Sequence, residues 1–503
     1  MKSRFLDAGL ERKSLFLALS APLLAGMFAA RLVSQWPVKL RYPGEQNYVE
    51  GMRLVEMVHL REGVSIYAPP SPERFDASIY GPLYYLLGAR LIDPAAPAYF
   101  PLRVLSLIAT LGCAVGGSLL AYWLTGKWVA ALLSPLIFLS YSMVTMHGLS
   151  FRCDMVALCL FFWGFLVAFR CRNSPRILLA VPLMLAGFFY KQQFVAGPVA
   201  VFLFLILERR YRRAAAFAGL MGGGLIGLLA LFQFVVFRGQ DFFLHAFRLN
   251  LLAFSLAQFQ AGVLAFGLVF LVPFLVALEG LRVRGERLIL LYLSAAGVLA
   301  LAALGKVGSD TNYYLEIICL LSALFATTFA DRVGKSLATV ELLVLLIFAL
   351  LVGQLLTLPN PSPSDFEKDR AIQNYLRQNF PPQTAALSYY AGDLIRAGLG
   401  SPVSDIYHYS KLIRKGTLSD RDLVAALENR KFKLVVLTCD IEGGDPEPSC
   451  VRQYLTPRLA ESIAQNYRVA RVLELPPIEK LGPEQRFYAW VPRADSENPA
   501  ETH

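Results

Sequence analysis

The chain has 503 residues, of which 56% are hydrophobic and only 17% are charged, and its mean hydropathy is +0.49. These values lie outside the usual range of soluble proteins and predict repeated membrane-spanning segments. The formal charge of +11 does not indicate nucleic-acid binding: residues 1–358 hold 30 Lys and Arg against 18 Asp and Glu, whereas residues 359–503 hold 18 against 19. The excess therefore lies in the apolar part, where basic loops keep segments in the cytoplasm during insertion.

The apolar runs predict eleven spanning helices. The first, 14–36, follows the basic segment MKSRFLDAGLERK and is too long for a cleaved signal peptide. Further runs have about the 20 residues that a bilayer requires, or fall somewhat short of it. They lie at 101–124, 128–147, 151–170, 177–190, 192–208, 213–237, 259–280, 287–304, 312–331 and 336–358.

The short run 80–92 decides the topology. If it does not cross, the basic loops at 170–176, 208–213, 279–287 and 331–335 all share the side of the basic N-terminus, as the positive-inside rule requires. We therefore interpret 80–92 as an interfacial helix. The N-terminus is then cytoplasmic and everything after residue 358 is external, which in a bacterium means the periplasm.

The helix and strand patterns of residues 359–495 predict an external α/β domain. Helices are expected at 365–379, 419–430 and 452–466, and strands at 384–388, 433–438, 468–474 and 486–491. Residues 496–503 have the composition of a disordered tail. Cys439 and Cys450 flank a polar loop in this domain and are disulfide candidates in an oxidising compartment, although two free thiols fit equally well.

A polar insert at 41–92 interrupts the apolar region and is predicted to lie on the external face. A short helix is expected at 48–62, and it places Glu50 beside an apolar stripe. Partial burial there would raise the pKa of Glu50 toward that of a general base. A charge favoured by the helix dipole is the alternative, and Glu45 is the competing acid.

Other polar residues are predicted on the same membrane face. Arg152 and Asp154 either neutralise each other or orient reactants. Lys191 either extends to the interface or pairs with a lipid phosphate. The segment 305–316, GKVGSDTNYYLE, contains Lys306, Asp310 and Asn312 and precedes a helix. The helix N-terminus, with the Lys and Ser/Thr donors before it, is a candidate phosphate site.

The order of these segments resembles bacterial members of the GT-C superfamily of polyprenyl-phosphate-dependent glycosyltransferases, such as lipid A aminoarabinose transferases and protein mannosyltransferases. The resemblance runs over about residues 10–358 and rests on VEG, then EG and IY, then YGPLYYLL, RCD, FYKQQ and GSDTNYYLE. It implies a catalytic acid in the first external loop, an interfacial helix after it and an external C-terminal domain.

Carried onto this sequence, the resemblance implies roles for individual residues. The first-loop acid falls on Glu50, with Glu45 in reserve, because the Asp that often precedes the family's Glu-Gly pair is Val49 here. The second acidic position falls on Asp154 and the donor-phosphate lysine on Lys191. The remaining predicted substrate-binding residues are Arg152, Gln192, Tyr80, Tyr84, Lys306, Asp310 and Asn312.

These observations predict a membrane-embedded inverting glycosyltransferase in the bacterial inner membrane. The expected donor is a polyprenyl-phosphate-linked sugar, and the expected acceptor is a lipid, glycan or protein at the periplasmic face. No cofactor is predicted with certainty. A divalent metal is possible but not supported by the sequence, because it would need clustered carboxylates and the family's Asp is missing here. The alternative is a transporter or flippase of a lipid-linked saccharide, which would show inverted repeats and access from both sides. A glycan polymerase or ligase would differ in using a diphosphate-linked donor.

Overall fold

The computed structural model describes residues 2–71, 74–238, 241–250, 252–307, 311–333, 335, 344, 361–441, 454–476 and 486–494. The part up to residue 333 is helical. Its helices are α1 (Lys2–Arg41), α2 (Tyr48–Arg61), α3 (Pro82–Leu91), α4 (Phe100–Thr125), α5 (Trp128–Ser140), α6 (Ser142–Gly148), α7 (Asp154–Arg170), α8 (Ala180–Tyr190), α9 (Ala196–Leu207), α10 (Tyr211–Ala230), α11 (Leu256–Arg284), α12 (Arg287–Leu304) and α13 (Leu315–Arg332). Short turns of helix precede α8 and α13, at Pro175–Leu179 and Thr311–Tyr314.

Several of these helices are long and apolar enough to cross a membrane. Within the described residues five continuous segments meet that test, namely Phe100–Thr125, Tyr211–Val236, Leu256–Arg282, Arg287–Leu304 and Thr311–Arg332. Large apolar side chains on their outer faces remain exposed, among them Ile226, Phe234 and Leu268. Because a soluble protein rarely exposes so much contiguous apolar surface, this is a multi-pass membrane protein.

One predicted span is broken. The interval 128–147 contains α5 and α6, which are bent by 74° at Tyr141 rather than forming one straight helix. Tyr141 has extended backbone angles, and its N–H reaches only the carbonyl of Phe138. The interval is therefore a bent pair of helices rather than a straight one, and its assignment as a membrane span stays a prediction. The predicted span 336–358 falls almost wholly outside the described residues, so the total of eleven spans stays a prediction.

The 41–92 insert forms the two short helices expected from its sequence. Asn47 caps α2, since its side chain accepts a hydrogen bond from the Val49 N–H, and nearly all of α2 is buried. Helix α3 has 10 residues, about 15 Å of helix, which is too short to cross a bilayer.

The C-terminal α/β domain is built on a four-stranded mixed sheet. Its strands, β1 (Ala386–Ser388), β2 (Leu434–Leu437), β3 (Tyr467–Glu474) and β4 (Arg486–Pro492), lie in the order β1-β2-β4-β3. Only the β1–β2 pair is parallel. The helices are α14 (Pro363–Asn379), α15 (Ala391–Arg396), α16 (Ile406–Arg414), α17 (Arg421–Glu428) and α18 (Pro457–Asn466). The predicted strands and three of these helices are confirmed within a few residues, whereas α15 and α16 were not predicted.

The insert and the C-terminal domain share their cores. Ala391 and Ile395 of α15 belong to the apolar core of the membrane part, and Met52 and Phe75 of the insert belong to the core of the domain. The backbone of Phe75 also bonds to Pro402 and Ser404, at 2.8 and 2.9 Å. The domain is therefore packed onto the insert rather than tethered beside it.

Candidate active site

A cavity of about 350 Å³ lies between the insert, the membrane helices and the C-terminal domain. The membrane part contributes four cations and many uncharged polar groups, and the domain contributes one short segment. The polar residues that line it include Tyr48, Arg53, Tyr80, Arg152, Lys191, Gln192, Gln193, Asn250, Lys306, Asn312, Glu316, Asp405, Tyr407 and His408.

Asp154 organises one side of this cavity. It stands at the start of α7 with its side chain fully buried, and its Oδ2 accepts a 2.9 Å bond from Arg152 Nε. Its Oδ1 accepts bonds from Lys191 Nζ and, at 2.7 Å, from Asn312 Nδ2. Four residues that the sequence singled out are thus joined into one group, which we call the Asp154 cluster. Two cations on one carboxylate leave this cluster with one net positive charge.

Lys191 reaches the cluster because the helix ends there. Helix α8 stops at Tyr190, and Lys191 is extended, with φ −155° and ψ 128°. Gly81 packs against the same turn, where a Cβ would lie 2.9 Å from the carbonyl carbon of Tyr190. This close approach brings Tyr80 over the lysine, with Nζ 5.4 Å from the ring centroid. Contact with the ring face favours the charged lysine.

Arg53 organises the side nearest the C-terminal domain. It is 2% exposed, and its Nη1 donates 2.6 Å bonds to both oxygens of Glu56 and a 2.7 Å bond to the Ala77 carbonyl. Its Nη2 lies 3.6 Å from Asp405 Oδ2. Burial raises the pKa of Glu56 to about 7 in spite of the arginine.

Asp405 and His408 enter the cavity from α16. Asp405 caps this helix by accepting a 2.7 Å bond from the His408 N–H, and burial raises the pKa of its carboxyl. His408 Nε2 bonds to the Leu249 carbonyl at 3.1 Å, so this nitrogen carries the hydrogen. Burial lowers the pKa of His408 to about 3, which keeps the imidazole neutral.

Lys306 forms the fourth cationic group. Its Nζ donates a 2.7 Å bond to Asn250 Oδ1. Burial, followed by the charge of Lys191, lowers the pKa of Lys306 to about 8. This lysine is therefore charged at neutral pH and titrates just above it.

Glu50 does not line the cavity. Arg103 donates to it twice, at 2.6 Å from Nη2 and 3.0 Å from Nε, and the N–H groups of Gln46 and Phe151 donate at 2.8 and 2.6 Å. Both carboxylate oxygens are consequently occupied in a fully buried ion pair. This arrangement is that of a structural anchor between α2 and α4.

Glu45 is also outside the cavity wall. Its Oε1 accepts a 3.1 Å bond from the Gly392 N–H at the start of α15, while Oε2 is buried with no hydrogen-bond partner. Burial, then the nearby charges of Asp393 and Glu50, raise the pKa of Glu45 well above its usual range. Glu45 thus belongs to the junction between the insert and the domain.

The remaining predicted residues are Tyr84, Asp310, Cys439 and Cys450. Tyr84 is buried behind the cavity, and its hydroxyl donates to the Phe151 carbonyl at 3.2 Å. Asp310 lies outside the described residues. Cys439 is disulfide-bonded, but Cys450 also lies outside them, so the proposed Cys439–Cys450 pair stays a prediction. In the part of the chain that the structure describes, no three His, Cys, Asp or Glu side chains are grouped so as to hold a metal ion.

Solved structures of similar architecture span nearly the whole chain. ArnT from Cupriavidus metallidurans, solved bound to undecaprenyl phosphate, matches with a TM-score of 0.57 and 11% identity over 92% of this chain and 97% of that one. Its apo state gives the same values. The apo oligosaccharyltransferase of Archaeoglobus fulgidus matches with a TM-score of 0.50 and 14% identity, over 90% and 73%. The chain has the GT-C fold.

No protein-family model and no curated protein sequence matches this chain. Structural likeness at 11% and 14% identity shows the fold alone, so the chemistry has to follow from this chain's own residues. Most of the residues that were singled out from the sequence lie at this cavity. They are the members of the Asp154 cluster, Tyr80, Gln192 and Lys306.

The sequence did not single out Arg53, Asp405, Tyr407 or His408. For Arg53 a signal was present, because an arginine three residues before Glu56 in an apolar helix forms an i,i+3 pair. For Asp405 the signal was an aspartate before the amphipathic segment IYHYSKLIR, which is typical of a capped helix. Neither signal shows that Arg53 and Asp405 meet, since that depends on how the C-terminal domain packs onto the insert.

Proposed function

We propose that this protein is a membrane-embedded inverting glycosyltransferase, which moves a sugar from a polyprenyl-phosphate donor to an acceptor at the external, periplasmic face. The Asp154 cluster is the observation that carries the proposal. It holds Arg152 and Lys191 in one cavity with a net positive charge. A buried group of this kind favours a phosphate and stabilises the negative charge that the phosphate gains as the sugar leaves.

An apolar wall beside the cluster supports a lipid-linked donor. Ala296, Leu299, Ala300 and Ala303 line the cavity from one stripe of α12. The adjacent Val298 is 66% exposed, so this helix also faces the lipid phase. A prenyl chain could follow the stripe out of the cavity while its phosphate stays at the Asp154 cluster. A water-soluble nucleotide donor would gain nothing from this wall.

The comparisons and the topology support the same proposal. ArnT, which shares the GT-C fold, was solved with undecaprenyl phosphate bound. With the eleven predicted spans, the positive-inside rule applied to the four basic loops supports an orientation with the C-terminal domain outside the cytoplasm. We therefore assign the protein to the bacterial inner membrane with its cavity facing the periplasm.

Transfer can be tested directly with a panel of donors. Purified protein is incubated with radiolabelled polyprenyl-phosphate sugars and a cell-envelope extract, and label is followed from the donor into a new product. We expect transfer from at least one donor. No transfer from any donor by a protein that still binds undecaprenyl phosphate would favour the transporter or flippase alternative.

The phosphate site can be tested separately from transfer. Lys191→Met removes a charged donor, so we expect the Kd for undecaprenyl phosphate to rise about 10-fold or more. The matched control is Lys127→Met, which alters a half-exposed lysine at the turn between α4 and α5 and should leave the Kd unchanged. Equal effects of the two substitutions would contradict the proposed phosphate site.

A further inference from the structure

Two carboxyl groups among the described residues line the cavity, those of Glu316 and Asp405. Glu316 follows Asn312 by four residues at the start of α13, so it belongs to the wall that carries the Asp154 cluster. A carboxylate next to the departing phosphate would oppose the growing negative charge. Asp405 belongs to the C-terminal domain and enters the cavity from a different wall.

Asp405 has an oxygen available for a substrate. Its Oδ1 is used in capping α16, through the 2.7 Å bond from the His408 N–H, and the backbone N–H of Tyr407 also stabilises the charged carboxyl. Its Oδ2 lies 3.6 Å from Arg53 Nη2, which is beyond hydrogen-bond distance. The arginine therefore holds the carboxyl electrostatically without occupying the oxygen. By contrast, both oxygens of Glu50 are occupied and shielded by Arg103 and backbone N–H groups.

We propose that Asp405 is the general base of the transfer reaction, an assignment that rests on the function proposed above. Its carboxylate takes the proton of the acceptor hydroxyl while that oxygen bonds to the anomeric carbon. The bond between this carbon and the phosphate oxygen breaks, and polyprenyl phosphate leaves with the electron pair. The Asp154 cluster receives the leaving phosphate, so base and leaving group act from different walls of one cavity, as a single displacement requires.

The surroundings of Asp405 suit this role. Burial raises the pKa of the carboxyl, and the charge of Arg53 is the main influence that lowers it. A carboxylate held in this way is a stronger base than a solvated aspartate. Because Asp405 belongs to the C-terminal domain, the active site is complete only when that domain is packed onto the insert.

Asp405→Asn is the sharpest test, because asparagine caps helices as well as aspartate does and keeps the bond to the His408 N–H. We expect the variant to fold and to bind undecaprenyl phosphate with a Kd within about twofold of the wild type, while kcat falls by at least about 100-fold. Asp405→Glu should recover part of this loss. The control is Asp420→Asn. Asp420 is the N-cap residue of α17, pairs with Arg458 and does not line the cavity.

Each outcome decides between the assignments. Retention of kcat within about 10-fold of the wild type in Asp405→Asn would overturn the base assignment and leave the proposed function intact. Loss of undecaprenyl phosphate binding or of folding in Asp405→Asn would also overturn it, since the residue would then be structural. Absence of transfer from any donor in the wild type would overturn the function and, with it, this assignment.

Discussion

Glu50 shows how its surroundings determine what an acidic residue can do. The sequence places it at the start of an amphipathic helix, where it has the pattern of a general base. In the structure, Arg103 lies at 2.6 Å and both side chains are completely buried. Removal of one partner from such a pair leaves the other charge uncompensated in an apolar environment, which is costly.

We therefore expect Glu50→Gln to destabilise the protein by about 3–5 kcal/mol, because Arg103 would lose its only carboxylate partner among the described residues. The measurement is the thermal unfolding midpoint in detergent. Glu62→Gln, on the exposed end of α2, is the matched control and should have no effect. A Glu50→Gln protein of normal stability that has lost turnover would instead support the base role predicted from the sequence.

The charge of Lys306 should make phosphate binding depend on pH. With its pKa lowered to about 8, this lysine is charged at neutral pH and loses its proton as the pH rises. Its described neighbours are Lys191, which lowers the pKa, Asn250, and His408, which is neutral in this range. We expect the affinity for undecaprenyl phosphate to fall several-fold between about pH 7 and about pH 9.5.

Two substitutions isolate this effect of Lys306 in a titration of the Kd against pH. Lys306→Arg should retain the affinity and flatten the profile, because arginine stays protonated. Lys306→Met should flatten the profile at a weaker affinity. An unchanged pH dependence in both variants would assign the titration to another group.

At the scale of elements, the contact between α2 and α15 positions the site. The two helices meet at Gly51 and Gly392 with the carboxyl of Glu45 beside them. A Cβ on Gly51 would lie 2.7 Å from the Gly392 nitrogen and would collide with Glu45. Backbone cannot move out of the way as a flexible side chain can, so both positions require glycine.

We expect Gly51→Ala to separate α2 from α15, to destabilise the protein by about 1–3 kcal/mol and to reduce transfer. The substitution is ordinarily favourable inside a helix, so a loss of stability reports the close approach. Gly222→Ala in α10, where a Cβ meets no atom within 4 Å, is the control. Thermal unfolding of both variants is the measurement, and an equal gain in stability would show that the helices are not in contact.

Short helices were the elements that the sequence analysis missed. Helix α15 has only 6 residues, too few for a hydrophobic period to stand out from loops. Helix α16 has 9 residues, and its amphipathic pattern was not interpreted as a helix. Isolated helices of this length are unstable in water, so packing has to supply their stability. They nonetheless provide the residues that contact the insert and the cavity, including Asp405.

At the scale of the whole molecule, buried acidic groups gather where the C-terminal domain meets the insert. Burial raises the pKa of Glu45, Glu56, Asp393 and Asp405, and for Glu56 and Asp393 to about 7. A carboxyl whose pKa is higher in the folded than in the unfolded protein binds more protons when folded. Its contribution to stability is therefore largest at low pH and is lost as the pH rises through the folded-state pKa.

We expect the folded protein to be more stable near pH 5.5 than near pH 8, with each group contributing up to about 1.4 kcal/mol per pH unit in that window. Asp393→Asn should reduce the slope, whereas Glu428→Gln, on the exposed face of α17, should not. The measurement is the unfolding midpoint across the pH range. Stability that rises with pH in the wild type would contradict the burial of these carboxyls in the protonated form.

Much of this molecule follows from its sequence alone. Long apolar runs and the placement of basic loops indicate a multi-pass membrane protein with a C-terminal α/β domain, because transfer of apolar side chains from water outweighs other terms over some twenty residues. Asp154, Arg152 and Lys191 could be singled out for a related reason: charges in apolar segments are costly, and they persist only where they are paired or used.

The tertiary structure alone decided which acids face the cavity. Glu50 and Asp405 are both acidic residues at the start of a helix. The carboxylate of Glu50, however, is bonded to Arg103, 53 residues further along the chain. Asp405 belongs to the C-terminal domain and lies beside Arg53 because that domain packs onto the insert. The bending at Tyr141 and the docking of α15 onto α2 are also results of packing. Such contacts join distant parts of the chain, and a local sequence pattern records the residue but not the partner that determines its role.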